Sequence, residues 1–142
     1  MAAPVGADGL RTRVSTQLSI DAQEQFDNPV GTFTALGEGF CGSGTTNSES
    51  TAIVDGRRLV FDVRKTFTCA DGSGTWKVRI EATVEPCDAF DYGTWRITGG
   101  TGDYRGLRGE GQIVGTYVPG DSCSATGIVD HYRGTAKGDL GR

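Results

Sequence analysis

The chain has 142 residues with 36% apolar and 23% charged side chains, enough to bury one core in one domain without help from metals or disulfides. Twenty-three glycines and 17 threonines against one methionine and four prolines favour short extended strands joined by tight turns over helices. A formal charge of −4 has the wrong sign for counterion release from nucleic acid, and no stretch approaches the roughly 18 apolar residues of a membrane helix, so neither a nucleic acid nor a membrane is expected as partner.

Residues 10–20 alternate with a period of two. Leu10, Thr12, Val14, Thr16, Leu18 and Ile20 share one side, and Arg11, Arg13, Ser15, Gln17 and Ser19 the other, which predicts a first strand. A polar loop over residues 21–28 leads through Pro29 into a second strand, 30–40, where Gly31, Gly37 and Gly39 predict bends or bulges. Residues 42–50 read as a loop. A short strand near 51–54 then ends at the hairpin signal Asp55-Gly56, and a long strand follows over 57–69.

The next two strands form a hairpin around Asp71-Gly72-Ser73-Gly74. Leu59, Phe61, Val63, Phe67 and Cys69 alternate with polar neighbours on one arm, and Trp76, Val78, Ile80, Ala82 and Val84 on the other. Pairing residues whose numbers sum to 145 sets Arg64 opposite Glu81 and Lys65 opposite Ile80. A sum of 143 would oppose Arg64 to Arg79 and Asp62 to Glu81, so the first register is expected.

Strands over 94–98, 108–118 and 125–135 bring the total to eight, with turn-rich connections at 99–107 and 119–124 and a frayed tail over 137–142. Eight antiparallel strands at this spacing predict an all-β fold, a single eight-stranded antiparallel β-barrel with an ordered core over about 10–136, closed so that no edge is exposed. A two-sheet sandwich is the alternative.

Cys41, Cys69, Cys87 and Cys123 contain no C-x-x-C pair, and the chain has one histidine, which argues against a zinc site. In a barrel, the ends of strands two and four bring Cys41 and Cys69 to one end, and Cys87 and Cys123 meet at the other. Disulfides Cys41–Cys69 and Cys87–Cys123 are therefore expected, and with them an oxidising compartment; reduced, buried thiols are the alternative. The protein reads as secreted; Met1 and the residues after it lack the apolar region of a secretion signal and are expected to stand where a removed signal was.

Residues 37–42 match G-x-G-x-x-G, but no helix pattern follows to hold a pyrophosphate, so the glycines serve curvature and no cofactor is expected. His131 lies on the last strand, inward with Val129 or outward with Arg133; inside the lumen it would be a general acid or base. Lys65 interrupts an apolar face between Val63 and Phe67. Turned inward, its ammonium must find a carboxylate, lose its proton or meet an anionic ligand, unless it snorkels to the mouth. Phe61, Phe67, Trp76, Trp95 and Tyr117 either pack a core or wall a binding cavity, and Asp88, Asp91 and Tyr92 read as a loop at the mouth.

The run Trp95-Arg96-Ile97-Thr98-Gly99-Gly100-Thr101-Gly102-Asp103-Tyr104-Arg105-Gly106-Leu107-Arg108-Gly109 resembles the Gly-Gly-Thr-Gly-x-aromatic turn and following Arg-Gly of the allene oxide cyclase and dirigent superfamily. The resemblance covers roughly residues 94–118. It implies an eight-stranded barrel with an apolar cavity, and roles among ring-forming isomerisation, stereochemical control of radical coupling and bacterial cyclase chemistry. The expected function is that of a secreted monomer or small homo-oligomer binding an apolar small molecule in its lumen and acting as a cofactor-independent cyclase or isomerase. Lys65 or His131 would carry any proton, and Phe61, Trp76, Trp95 and Tyr117 would shape the cavity. The competing expectation is a carrier or an interaction module with a packed lumen.

Overall fold

The computed structural model describes residues 13–139. Its strands are β1 (Arg13–Gln25), β2 (Val30–Leu36), β3 (Ser43–Asp55), β4 (Arg58–Cys69), β5 (Gly74–Val84), β6 (Phe90–Gly102), β7 (Arg108–Val118) and β8 (Gly127–Asp139). Each pairs antiparallel with the next, and β8 returns to β1 from Arg13↔Asp139 to Gln25↔Gly127, so the sheet is a closed eight-stranded antiparallel barrel. Closure satisfies both edges, and the period-two alternation puts one face of every strand on a common axis. Glycine is required where neighbouring strands and a large inward side chain crowd together: a Cβ on Gly134 would collide with the Glu110 carbonyl oxygen and fall 2.7 Å from the Trp95 ring.

Several boundaries differ from expectation, most of them towards longer strands. Residues 21–25 continue β1 rather than forming a loop, and residues 43–50 belong to β3. Both runs are polar on both faces, with Glu24, Thr46 and Ser48 turned inward, and pairing with a neighbour supplies the backbone hydrogen bonds that keep them extended. The second strand stops at Leu36, where residues 37–40 turn. β6 runs from Phe90 to Gly102, which places Asp91 and Tyr92 on a strand rather than a loop, and the irregularity in the sheet falls opposite Lys77 and Val78. Lys137–Asp139 pair with β1 instead of fraying. Residues 10–12 of the expected first strand, the opening Met1 and residues 140–142 lie outside the described residues.

The β4–β5 register also corrects the expectation. Leu59 pairs with Val84 and Phe67 with Trp76, the sum of 143, so Lys65 stands opposite Val78 and Arg64 opposite Arg79. Arg64 and Arg79 can stand opposite each other because Arg79 reaches diagonally to Asp62, donating from Nε to Oδ1 at 3.1 Å and from Nη2 to Oδ2 at 2.8 Å. Exposed pairs contribute about 0–1 kcal/mol, less than the aromatic contact and the turn geometry that select this register. The Phe67 and Trp76 rings stack at 5.2 Å with 6° between their planes, and Asp71 accepts the Ser73 N–H at 2.9 Å to shape the turn.

The barrel has two unlike ends. At the base, near the connections 37–42, 70–73 and 103–107, the lumen is plugged by the Phe67–Trp76 stack with Phe33, Phe40, Tyr104 and Tyr132 against its edges. Tyr104 seals that end, its hydroxyl accepting the Cys41 N–H at 2.9 Å. The Cys41–Cys69 disulfide closes the base and Cys87–Cys123 the opposite end, both as expected. Such bonds are typical of oxidising compartments, and the pair is consistent with an extracellular location.

Candidate functional site in the barrel lumen

The end carrying Cys87–Cys123 opens into a chamber of about 690 Å³. Inward positions of β4, β5, β7 and β8 form its walls, chiefly Phe61, Ile80, Val84, Ile113, Tyr117 and Ile128. The same alternation that packs the base with aromatics supplies shorter aliphatic side chains here, and the difference in volume leaves the space. The lumen is thus neither open throughout nor filled: the aromatic plug is its floor. Among the described residues, most of the large exposed apolar side chains also lie towards this mouth, including Phe26, Ile53, Val54, Phe90 and Tyr92.

Polar groups gather at the bottom of the chamber. Lys65 is 2% exposed and does not snorkel; its Nζ lies 2.9 Å from Glu24 Oε1 and 3.1 Å from Asp130 Oδ2. Of the outcomes open to a buried lysine, the chain takes the first, a carboxylate partner, twice over. Burial opposes the ammonium's charge, but Tyr132, Asp130 and Glu24 outweigh it and hold Lys65 above the ordinary lysine range. The Tyr132 ring centroid is 5.8 Å from Nζ, within cation–π reach. A lysine so held stays charged and is a poor proton donor.

Asp91 sits beside this network. Pairing sets Asp91, Gly115 and Asp130 in one row across β6, β7 and β8. A Cβ at Gly115 would collide with the Asp91 carboxylate and approach that of Asp130, so only glycine lets both side chains enter the lumen there. Gly115 N–H donates to Asp91 Oδ1 at 2.9 Å and the Tyr117 hydroxyl to Oδ2 at 3.2 Å. Burial, with Asp130 close by, pushes the Asp91 carboxyl up to about 6 in spite of those bonds. Burial also raises the Tyr117 phenol, which stays a donor. Asp91 is therefore a chamber group whose protonation changes near neutral pH.

The remaining expected site residues separate. Phe61 and Tyr117 line the chamber. Trp76 and Trp95 do not: Trp76 is in the plug, and Trp95 packs against Tyr132 and donates its indole N–H to Gln112 O at 3.0 Å. His131 faces outward, its Nδ1 2.8 Å from Asp21 Oδ1, so the lumenal general acid or base expected there is excluded by strand alternation. Glu24, Asp130 and Gly115 were not singled out from sequence, and Asp91 only as a loop residue. Their signal is the one that exposed Lys65: each is a charged or side-chain-free position on an inward period-two face. The two groups of Cys and Asp close enough to share an ion, Cys41-Cys69-Asp71 and Cys87-Asp121-Cys123, each contain a disulfide, which has no thiolate to offer a metal.

Fold and site together define a closed β-barrel plugged at one end, with an apolar chamber at the other whose floor is charged. Comparison with known proteins gives no match, whether to family models, to curated proteins or to solved structures.

Proposed function

We propose that this chain binds an apolar small molecule in the mouth-side chamber. The observation that carries the reading is the chamber itself, with one opening, aliphatic and aromatic walls, and a floor where a few polar groups converge; sites for small molecules have this composition and size. The apolar side chains around the mouth support entry of a poorly soluble ligand from that side. The two disulfides support a secreted protein.

A second reading, cofactor-independent isomerisation or cyclisation of the bound molecule, is favoured by Asp91. A carboxyl near 6, with Tyr117 as its donor, faces the ligand space and is suited to take or return a proton at neutral pH, while the walls hold a flexible substrate in one shape. The resemblance of residues 94–118 to the allene oxide cyclase and dirigent superfamily supports this reading. In it, the proton falls to Asp91 rather than to Lys65 or His131.

Titration with the neutral fluorophore N-phenyl-1-naphthylamine tests the binding reading. The protein is expected to enhance its emission saturably, and Ala82→Trp, which fills the chamber from an inward position of β5, is expected to abolish the enhancement while the barrel still unfolds cooperatively. Equal enhancement by both proteins, or none by either, overturns the reading.

A further inference from the structure

We infer that the ligand is a cation, an apolar skeleton bearing a protonated amine that is drawn to Asp91; this rests on the chamber being a binding site. Three carboxylates, Glu24, Asp91 and Asp130, line the chamber floor against one ammonium, Lys65. That ammonium is already engaged, bridging Glu24 and Asp130. Asp91 is 6% exposed and receives neutral donors, the Gly115 N–H and the Tyr117 hydroxyl, and among the described residues no basic side chain forms an ion pair with it. A buried carboxylate without a cation is unfavourable by itself and attracts one from the chamber, which it lines.

The mouth reinforces the preference. Asp27 and Glu85 lie on its lining with Arg57 as their single basic counterpart. From floor to mouth the walls are apolar and of low dielectric, which strengthens the acidic field along the path a ligand takes. An anionic ligand would bring a further negative charge to the floor, and a neutral one would leave Asp91 as it is. A primary ammonium supplies the missing charge and donates to a carboxylate oxygen, while its hydrocarbon part takes the aliphatic walls.

Three single-chain ligands of equal length, decylamine, decanol and decanoate, can be compared by displacement of N-phenyl-1-naphthylamine at about pH 7.5, where an alkylamine is protonated. Decylamine is expected to bind roughly 10–100-fold more tightly than decanol, the range of a charge-assisted hydrogen bond, and decanoate more weakly than either. Asp91→Asn, which keeps an acceptor for the Gly115 N–H, is expected to bring the amine-to-alcohol ratio close to one. Equal affinity for amine and alcohol in the unmodified protein overturns the inference and leaves the chamber reading standing. An amine preference that survives in Asp91→Asn overturns the assignment to Asp91. Failure of all three to displace a probe that does bind overturns the cation reading, and failure of the probe to bind at all overturns the chamber reading beneath it. The three-ligand ranking needs no variant, so it decides the matter even if Asp91→Asn does not fold.

Discussion

Lys65→Met is expected to destabilise the barrel by about 3–5 kcal/mol, the usual consequence of removing one partner from a buried ion pair. Methionine fills much the same volume, so the loss reports charge and not packing. Glu24 and Asp130 would be left facing each other at the bottom of an apolar chamber, without the ammonium that lies 2.9 and 3.1 Å from them. The pH dependence has a definite sign. Burial already pushes Asp130 up while Lys65 pulls it down, so in the variant the folded-state value rises further above that of the unfolded chain. A carboxyl raised in this way contributes stability at low pH and loses it as pH rises through the folded value. The deficit relative to the unmodified protein should therefore be largest at neutral pH and shrink towards pH about 4, close to the reference carboxyl values. Urea unfolding of both proteins across that range measures it, and adding Glu24→Gln with Asp130→Asn to Lys65→Met should recover part of the loss. A deficit under about 1 kcal/mol, or one that grows in acid, would show that the three charges do not hold one another.

Breaking the Cys41–Cys69 disulfide is expected to lower stability by about 3–4 kcal/mol, the chain-entropy value for loops of this size, and the Cys87–Cys123 bond constrains a similar length of chain. The two should nevertheless respond differently to a reductant. Cys41 and Cys69 are 7% and 4% exposed under the Tyr104 seal, whereas the mouth disulfide is exposed. Under native conditions dithiothreitol should open Cys87–Cys123 first and leave Cys41–Cys69 intact until the barrel unfolds, because exchange needs access to a sulfur. Mass spectrometry after thiol alkylation resolves the order. Simultaneous reduction of both bonds in the folded protein would mean that the base is not sealed.

The barrel was legible because its signals are repeated. Alternation around Leu18 and Ile20, along Leu59 to Cys69 and along Trp76 to Val84 marks inward faces, and eight such segments with four cysteines at matching ends leave few closed topologies. The polar halves of β1 and β3 were not legible, because residues 21–25 and 43–50 owe their extended form to strands far away in the chain rather than to their own propensities. Register is hidden for a related reason: opposing Arg64 to Arg79 looks unfavourable only until a long side chain is allowed to reach diagonally to Asp62.

Of the site, Lys65 was visible as a charge on an apolar face, but its partners were not. Glu24 was hidden in a stretch read as loop, and Asp130 is an inward residue only once Ile128 and Tyr132 are known to point inward beside it. The division into plug and chamber depends on how side-chain volumes add up at each level of the cylinder. That sum requires the register between strands, so Trp76 and Trp95 were expected in the cavity wall although they fill the floor beneath it.

Small-molecule binding in this barrel needs empty apolar space in one half of the cylinder and solid packing in the other. Methyl-resolved NMR of isoleucine-labelled protein during titration with N-phenyl-1-naphthylamine probes both halves at once. Saturable shifts are predicted at Ile80, Ile113 and Ile128, which line the chamber, with Ile20 and Ile97 unmoved in the packed region. Shifts confined to Ile53 on the outer surface, or spread evenly over all of these methyl groups, would contradict it.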